Sequence, residues 1–358
     1  QEGAVTAPRG DIRLSFCSDC HHVFNRSFDP ELMEYTQDYE NSLHFSAHFQ
    51  QFATTLAQGL IDRYDLHDKD VVEIGAGKGD FLIMLCEMGN NRGVGFDPSY
   101  VPGAARETTA AVDFVLDFYS EKHIDYKADF IACRHVLEHI QNPDAFIANV
   151  QRAVNNRSET VVYFEVPNVL FTLRDLGIWD IIYEHCSYFS PYSLAQLFQQ
   201  NEFRALAVTP VFGGQFLTIE AALKNGQPDL WQPDLQDRQQ MAQDVAAFAD
   251  SFNQKVALWQ TRLAEMAAAG QKAVVWGAGS KGVTFMNTLK AGDVIEYVVD
   301  INPRKQGMHV AGAGQKIVPP EFLKTYQPDV VIIMNANYRD EIGQAVADLG
   351  VKAEILVA

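Results

Sequence analysis

The chain has 358 residues, a formal net charge of −18, a hydrophobic fraction of 47% and a charged fraction of 21%. That length suits two or three globular domains, and the acidic balance excludes nucleic acid or an anionic membrane surface as main partner, since both need clustered Lys and Arg. No apolar run approaches the roughly 18 residues of a membrane span and no apolar signal core stands at the start, so a cytoplasmic protein is expected. The five cysteines are an odd count, which argues against a disulfide framework; Cys86, Cys133 and Cys186 lie among apolar or aromatic residues and read as core thiols.

Residues 1–50 form a polar, aromatic-rich leader. Within it, Cys17-Ser18-Asp19-Cys20 is a knuckle that can present two thiolates to one tetrahedral zinc, which is half a structural site. His21 and His22 offer further nitrogen ligands. A plain reduced knuckle and a redox pair are the other readings. The first residue is not Met, and a second cysteine pair is expected upstream.

Residues 51–225 alternate between strand and helix. Strands are predicted at 70–74, 93–97, 112–116, 128–133, 160–165, 205–210 and 215–222, and helices at 47–64, 79–89, 101–107, 143–154 and 191–200. Such alternation with short links predicts an α/β domain with a parallel sheet covered on both faces, and Gly213-Gly214 joins the last two strands as a terminal antiparallel hairpin. Residues 226–270 open with a linker rich in Pro, Asp and Gln. A helical stripe follows: Met241, Val245, Phe248, Phe252, Val256, Trp259, Leu263 and Met266. That face predicts a helix bracing two domains or, alternatively, a dimerising seam; the oligomeric state is left open. Residues 271–358 begin a second, smaller Rossmann-like unit: the strand 272–276, the turn Gly277-Ala278-Gly279-Ser280-Lys281-Gly282, and Asp300 ending the next strand.

The chemistry centres on Val71-Val72-Glu73-Ile74-Gly75-Ala76-Gly77-Lys78-Gly79-Asp80. Its glycines allow a tight turn and close approach to a ligand, and Asp97 ends the next strand about 20 residues on, where an acid binds a ribose diol. That spacing also suits NAD. Glu73 and Asp80, however, flank the turn and would repel a pyrophosphate, whereas a sulfonium carrying an amino-acid tail would be welcome. The segment resembles motif I of the class I S-adenosylmethionine (SAM) methyltransferases. The resemblance implies that Gly75, Gly77 and Gly79 cradle the methionine part, that Glu73 or Asp80 favours its positive charge, and that Asp97 takes both ribose hydroxyls. Asp117 would accept from the adenine amino group while Phe118 packs on the base. His135, in Arg134-His135-Val136-Leu137-Glu138-His139, would line the cofactor.

Further blocks resemble a narrower group. Tyr39-Glu40-Asn41-Ser42-Leu43-His44-Phe45-Ser46, Glu165-Val166-Pro167-Asn168 and Tyr183-Glu184-His185-Cys186-Ser187-Tyr188-Phe189-Ser190, with the knuckle and the C-terminal glycine turn, look like the tripartite sugar C-methyltransferases. That family joins an N-terminal zinc domain, a SAM domain and a C-terminal Rossmann-like domain, and methylates a carbon of a nucleotide-linked keto-sugar. The resemblance implies an enolate intermediate, with His185 as base, Glu184 orienting it or touching a sugar hydroxyl, and Tyr183 or Tyr188 bonding the enolate oxygen. Tyr39, Asn41, Tyr188 and Lys281 are the candidate substrate contacts, Lys281 through a phosphate. The family pattern Tyr-x-Glu-His meets Ile182 here, with Tyr183 one place later, so O- or N-methylation of another small metabolite stays open. The C-terminal turn also fits NAD or a purely structural unit.

Overall fold

Phe130–Cys133 is apolar at every position and Val71–Ile74 at every position but Glu73, which suits strands buried on both faces. In the computed structural model, which describes residues 2–32, 43–103, 106–155, 157 and 159–358, they lie at the centre of the molecule. The strands run β1 Leu14–Phe16, β2 Val23–Asn25, β3 Asp70–Ile74, β4 Arg92–Phe96, β5 Ala111–Val115, β6 Phe130–Arg134, β7 Val161–Pro167, β8 Ser187–Tyr188, β9 Phe203–Val211, β10 Phe216–Leu223, β11 Ala273–Trp276, β12 Ile295–Val299, β13 Lys316–Val318, β14 Val330–Ile333 and β15 Glu354–Val357. They form three sheets. Seven pair in the order β5-β4-β3-β6-β7-β10-β9, five in the order β13-β12-β11-β14-β15, and three in the order β1-β2-β8.

The large sheet is parallel except at β10, which runs antiparallel to both β7 and β9. This is the class I methyltransferase arrangement, with the terminal hairpin where Gly213-Gly214 predicts it. Helix Ala47–Tyr64 is capped by Ser46, whose hydroxyl accepts from the Phe49 amide, and buries Phe49, Ala53, Ala57, Leu60 and Ile61 along one stripe. Helices Pro143–Val154 and Pro191–Gln200 cover the other face, started by Asn142 and Ser190 caps with Pro in the first turn. Strand ends therefore point their loops to one edge, the place where open α/β sheets bind ligands. The helix predicted over 101–107 is not formed: residues 101–103 and 106–107 are turn and coil, and 104–105 lie outside the described residues.

The predicted helical stripe lies on the 34-residue helix Leu235–Ala268. Its Met241 packs with Val23, Val169, Leu173 and Tyr188, while Trp259, Leu263 and Met266 join the core of the C-terminal sheet. Phe248 and Phe252 touch both clusters. Residues 1–50 do not stand apart as a separate domain. The knuckle hairpin β1-β2 adds to β8, pairing Val23 with Tyr188 and Phe24 with Ser187. Among the described residues no helix is long and apolar enough to cross a membrane.

Candidate active site

The turn after β3 is built from left-handed glycines: Gly75, Gly77 and Gly79 have φ of 72°, 54° and 84°. A Cβ at Gly75 would meet Val136 Cγ2 at 2.1 Å and one at Gly79 would meet the Phe114 ring at 2.3 Å, whereas one at Gly77 meets nothing within 4 Å. Gly77 is thus the point where backbone is open to a ligand. Its amide donates to Asp97 Oδ2 at 2.7 Å, and Asp97 Oδ1 accepts from the Ser99 amide at 2.8 Å and hydroxyl at 2.6 Å. These bonds hold the carboxylate at the end of β4 against the turn. Asp117 and Phe118 follow β5. Phe118 is 60% exposed, beside the Asp117 carboxylate, which lies 3.6 Å from His123 Nε2.

Glu73 lies beneath the turn, 3% exposed, and its Oε2 has no hydrogen-bond partner. Burial lifts its pKa to about 8, although Arg134 and the Leu82 amide pull the other way. A buried carboxyl short of a partner is costly, and a cationic ligand above the turn relieves that cost. The glycine cradle, the acid at the β4 end and this orphaned oxygen together fit SAM. When bound, SAM supplies an electrophilic methyl group.

The end of β6 carries the densest charge. Arg134 donates to Glu165 Oε1 at 2.8 Å from Nη2 and 3.2 Å from Nε, a pairing set by the parallel register of Arg134 with Glu165 across β6 and β7. Tyr163 donates to Glu165 Oε2 at 3.0 Å, and the guanidinium stacks 4.3 Å over Phe81. Burial opposes charge on Glu165, but Arg134 and His135 prevail and hold it near 2. His135, at φ 56°, places Nε2 2.9 Å from Glu165 Oε1 and Nδ1 3.6 Å from Glu138 Oε1. Burial works against its charge; the two carboxylates outweigh it and raise His135 to about 9. His135 therefore sits beneath the site as a charged strut.

The loop before β8 brings His185 to this cluster. Its ring is 7% exposed and meets the His139 ring edge-on at 5.0 Å. Burial, then the neighbouring His139, His135 and Lys281, keep its pKa well below the ordinary histidine value, so the imidazole is neutral. His139 Nδ1 lies 2.8 Å from the Glu184 carbonyl, a bond in which the ring nitrogen donates. Glu184 also lines a cavity of about 1080 Å³ between residues 7–16, the long helix and the C-terminal glycine turn. One loop thus carries the wall of the cavity and the buried imidazole.

The other predicted residues are placed differently. Tyr183 lines the same cavity, stacks on Phe28 and hydrogen-bonds through its hydroxyl with the Asp29 amide at 2.9 Å. Tyr188 is 3% exposed and donates to the Ile182 carbonyl at 3.2 Å, which braces the loop from inside. Lys281 is ion-paired with Asp180 at 2.8 Å, tying the C-terminal turn to the 178–180 loop. Tyr39 and Asn41 lie outside the described residues. Cys17 and Cys20 remain free thiols, with Cys17 lowered chiefly by backbone hydrogen bonds around the knuckle. His21 accepts from Arg238 at 3.1 Å and His22 Nε2 meets Ser187 Oγ at 3.2 Å. Among the described residues no third His, Cys, Asp or Glu joins the two thiols at ligand distance, so the knuckle as it stands does not complete a zinc site. Arg134, Glu138, His139 and Glu165 were visible in the sequence only as members of quoted blocks. Charged residues at the ends of apolar strands were the available signal.

A family model for a methyltransferase domain matches residues 47–208, and one for a C-methyltransferase C-terminal domain matches residues 232–357. The chain is a SAM-dependent methyltransferase, and the two matches support a SAM-dependent C-methyltransferase family. It is 27% identical over 314 residues to the C-methyltransferase NovU of Streptomyces niveus, spanning 82% of this chain and 72% of that one. Among solved structures, the N,N-8-amino-8-demethyl-D-riboflavin dimethyltransferase of Streptomyces davawensis is similar at 17% identity, over 49% of this chain and 55% of the other, with a TM-score of 0.39. The 1,6-didemethyltoxoflavin-N1-methyltransferase of Burkholderia thailandensis, solved with its substrate and S-adenosylhomocysteine, is 15% identical over 59% of this chain and 99% of its own, with a TM-score of 0.38.

Proposed function

We propose that this enzyme transfers the SAM methyl group to a carbon beside a ketone, on a nucleotide-linked keto-sugar. What carries the reading is the match of residues 232–357 to a C-methyltransferase C-terminal domain. The site's chemistry supports it. A C–H next to a ketone yields an enolate to a base, and the enolate carbon is a nucleophile that attacks the SAM methyl in line. Neutral, buried His185 is the proposed base: its lone pair takes the proton. Glu184 and Tyr183, in the cavity wall, contact the substrate, and the cavity has the volume of a site for a nucleotide-sized ligand. Gly75, Gly77, Gly79, Asp97, Asp117 and Phe118 hold the donor. Asp180, the present partner of Lys281, yields to a substrate phosphate, so that substrate binding rearranges that pair.

The test is isotope exchange. In D₂O with S-adenosylhomocysteine bound, the wild-type enzyme washes deuterium into the carbon beside the ketone. His185→Ala loses that exchange and about 10²–10⁴-fold of the methyl-transfer rate, while binding of S-adenosylhomocysteine is kept. Exchange and transfer at wild-type rates in His185→Ala would remove His185 as base.

A further inference from the structure

Three side chains near the β6 end, one of them the proposed base, form an arrangement that proton abstraction alone does not call for. Glu138, His139 and His185 each bring one ligand atom to within 4.8 Å of the other two. Two of these groups are buried with one polar atom unbonded. Glu138 is 1% exposed with Oε2 unbonded, and His185 is 7% exposed with Nδ1 unbonded. An unpaired carboxylate oxygen and an unpaired imidazole nitrogen are each costly when buried. His139 supplies an independent sign. Its Nδ1 donates to the Glu184 carbonyl at 2.8 Å, which fixes the ring plane. Metal-bound histidines are oriented by this kind of second bond. Glu138 is backed in turn by His135 at 3.6 Å, and His135 by Glu165 at 2.9 Å.

We infer that Glu138, His139 and His185 form a binding site for one divalent transition ion of the zinc class. Two imidazoles and one carboxylate leave coordination positions open, and nitrogen-rich sets prefer zinc or cobalt to magnesium. The site is separate from the cysteine knuckle, whose two thiols belong to the N-terminal hairpin. It also has a consequence for the proposed function, on which that consequence alone rests. An ion on His185 occupies the lone pair that proton abstraction needs, so ion and substrate proton compete for one imidazole.

The experiment uses the full chain carrying Cys17→Ser and Cys20→Ser, stripped with a chelator, so that thiols cannot bind the probe. Titration with Zn²⁺ in a calorimeter is expected to show one ion per chain, with Mg²⁺ far weaker. His139→Gln and Glu138→Gln each weaken Zn²⁺ at least about tenfold. Co²⁺ in the otherwise unsubstituted centre gives a visible d–d absorption band displaced by Zn²⁺, a readout that does not depend on whether the ligand variants fold. No zinc uptake, no cobalt band, or zinc affinity unchanged in well-folded ligand variants would each overturn the site. Methyl transfer is read separately. If zinc binds and the stripped enzyme loses at least tenfold of its rate on loading, both site and base stand. If zinc binds and the rate is unchanged, the site stands and His185 is not the base.

Discussion

In the first α/β half, the Gly75 amide donates to the Phe96 carbonyl at 2.8 Å and Asp97 accepts from the Gly77 amide at 2.7 Å. In the second, Gly277 donates to Val299 at 2.8 Å and Asp300 accepts from Ala278 at 2.7 Å. Each acid then caps the amide two residues on, Ser99 in one case and Asn302 in the other. The backbone device is shared, but its surroundings are not. The first turn reaches its helix at Asp80, five residues after Gly75; the second reaches Ser280 three residues after Gly277. Of the first turn's glycines Gly77 is open and Gly75 and Gly79 are hemmed in; in the second, Gly277 and Gly279 are both open and the close approach is at Gly282, where a Cβ would lie 2.0 Å from the Gly277 oxygen. Glu73 lies under the first turn; Val275 holds the equivalent place, two residues before the first glycine, in the second. The first turn thus lies over a buried carboxyl short of a partner, while the second faces the cavity and is clasped through Lys281 and Asp180.

Glycine replacements separate the two most strongly. Gly77→Val puts bulk where the ligand approaches, at a cost of up to about 3 kcal/mol, which is on the order of 100-fold in affinity for S-adenosylhomocysteine. Gly282→Val, by contrast, lowers the thermal midpoint through backbone overlap. Calorimetry and thermal melts on both variants check this; a Gly282→Val chain that melts like the wild type would break the comparison.

The acids come next. Asp97→Asn removes charge-assisted bonds worth about 1.5–3 kcal/mol and weakens S-adenosylhomocysteine binding at least about tenfold. Asp300→Asn leaves that affinity within experimental scatter. Equal losses in both would mean that the second turn also holds the donor. NADH titration of the same proteins asks whether the second turn binds a dinucleotide, and no uptake is expected.

A further effect lies in pH dependence. Glu73 keeps its proton in the fold up to about 8, whereas an ordinary glutamate releases it near 4.5. The ligand-free fold therefore loses stability as pH rises between those values, because the unfolded chain releases the proton first. Glu73→Gln flattens that part of the stability profile. Thermal melts from acid to mildly alkaline pH measure it, and an unchanged slope would show that Glu73 is not the group responsible.

The central sheet was legible because buried apolar runs of four to eight residues, broken by turn residues, allow few other structures. Helix Ala47–Tyr64 was legible from its 3.6-residue stripe. The residues proposed to hold the donor stand out in the sequence because they sit at strand ends in chain order. What was hidden lies in long-range pairing. The knuckle strand β2 meets β8 across about 160 residues, as in the His22–Ser187 contact, which is 165 apart. His139 and His185 come from separate loops, and only the fold brings their rings to 5.0 Å. Lys281 is legible as a phosphate contact, but nothing local reveals that Asp180, 101 residues earlier in the chain, holds it. Tyr188 looked like an active-site hydroxyl, but its place on β8 points it inward to the Ile182 carbonyl.

The most direct measurement of the central claim follows the methyl group. SAM labelled with ¹³C in its methyl is incubated with the enzyme and a panel of nucleotide-linked keto-sugars, and the product is read by carbon NMR. The account predicts a new methyl signal coupled to a ring carbon beside the former ketone. A labelled methyl found on oxygen or nitrogen, with none on carbon, would contradict it.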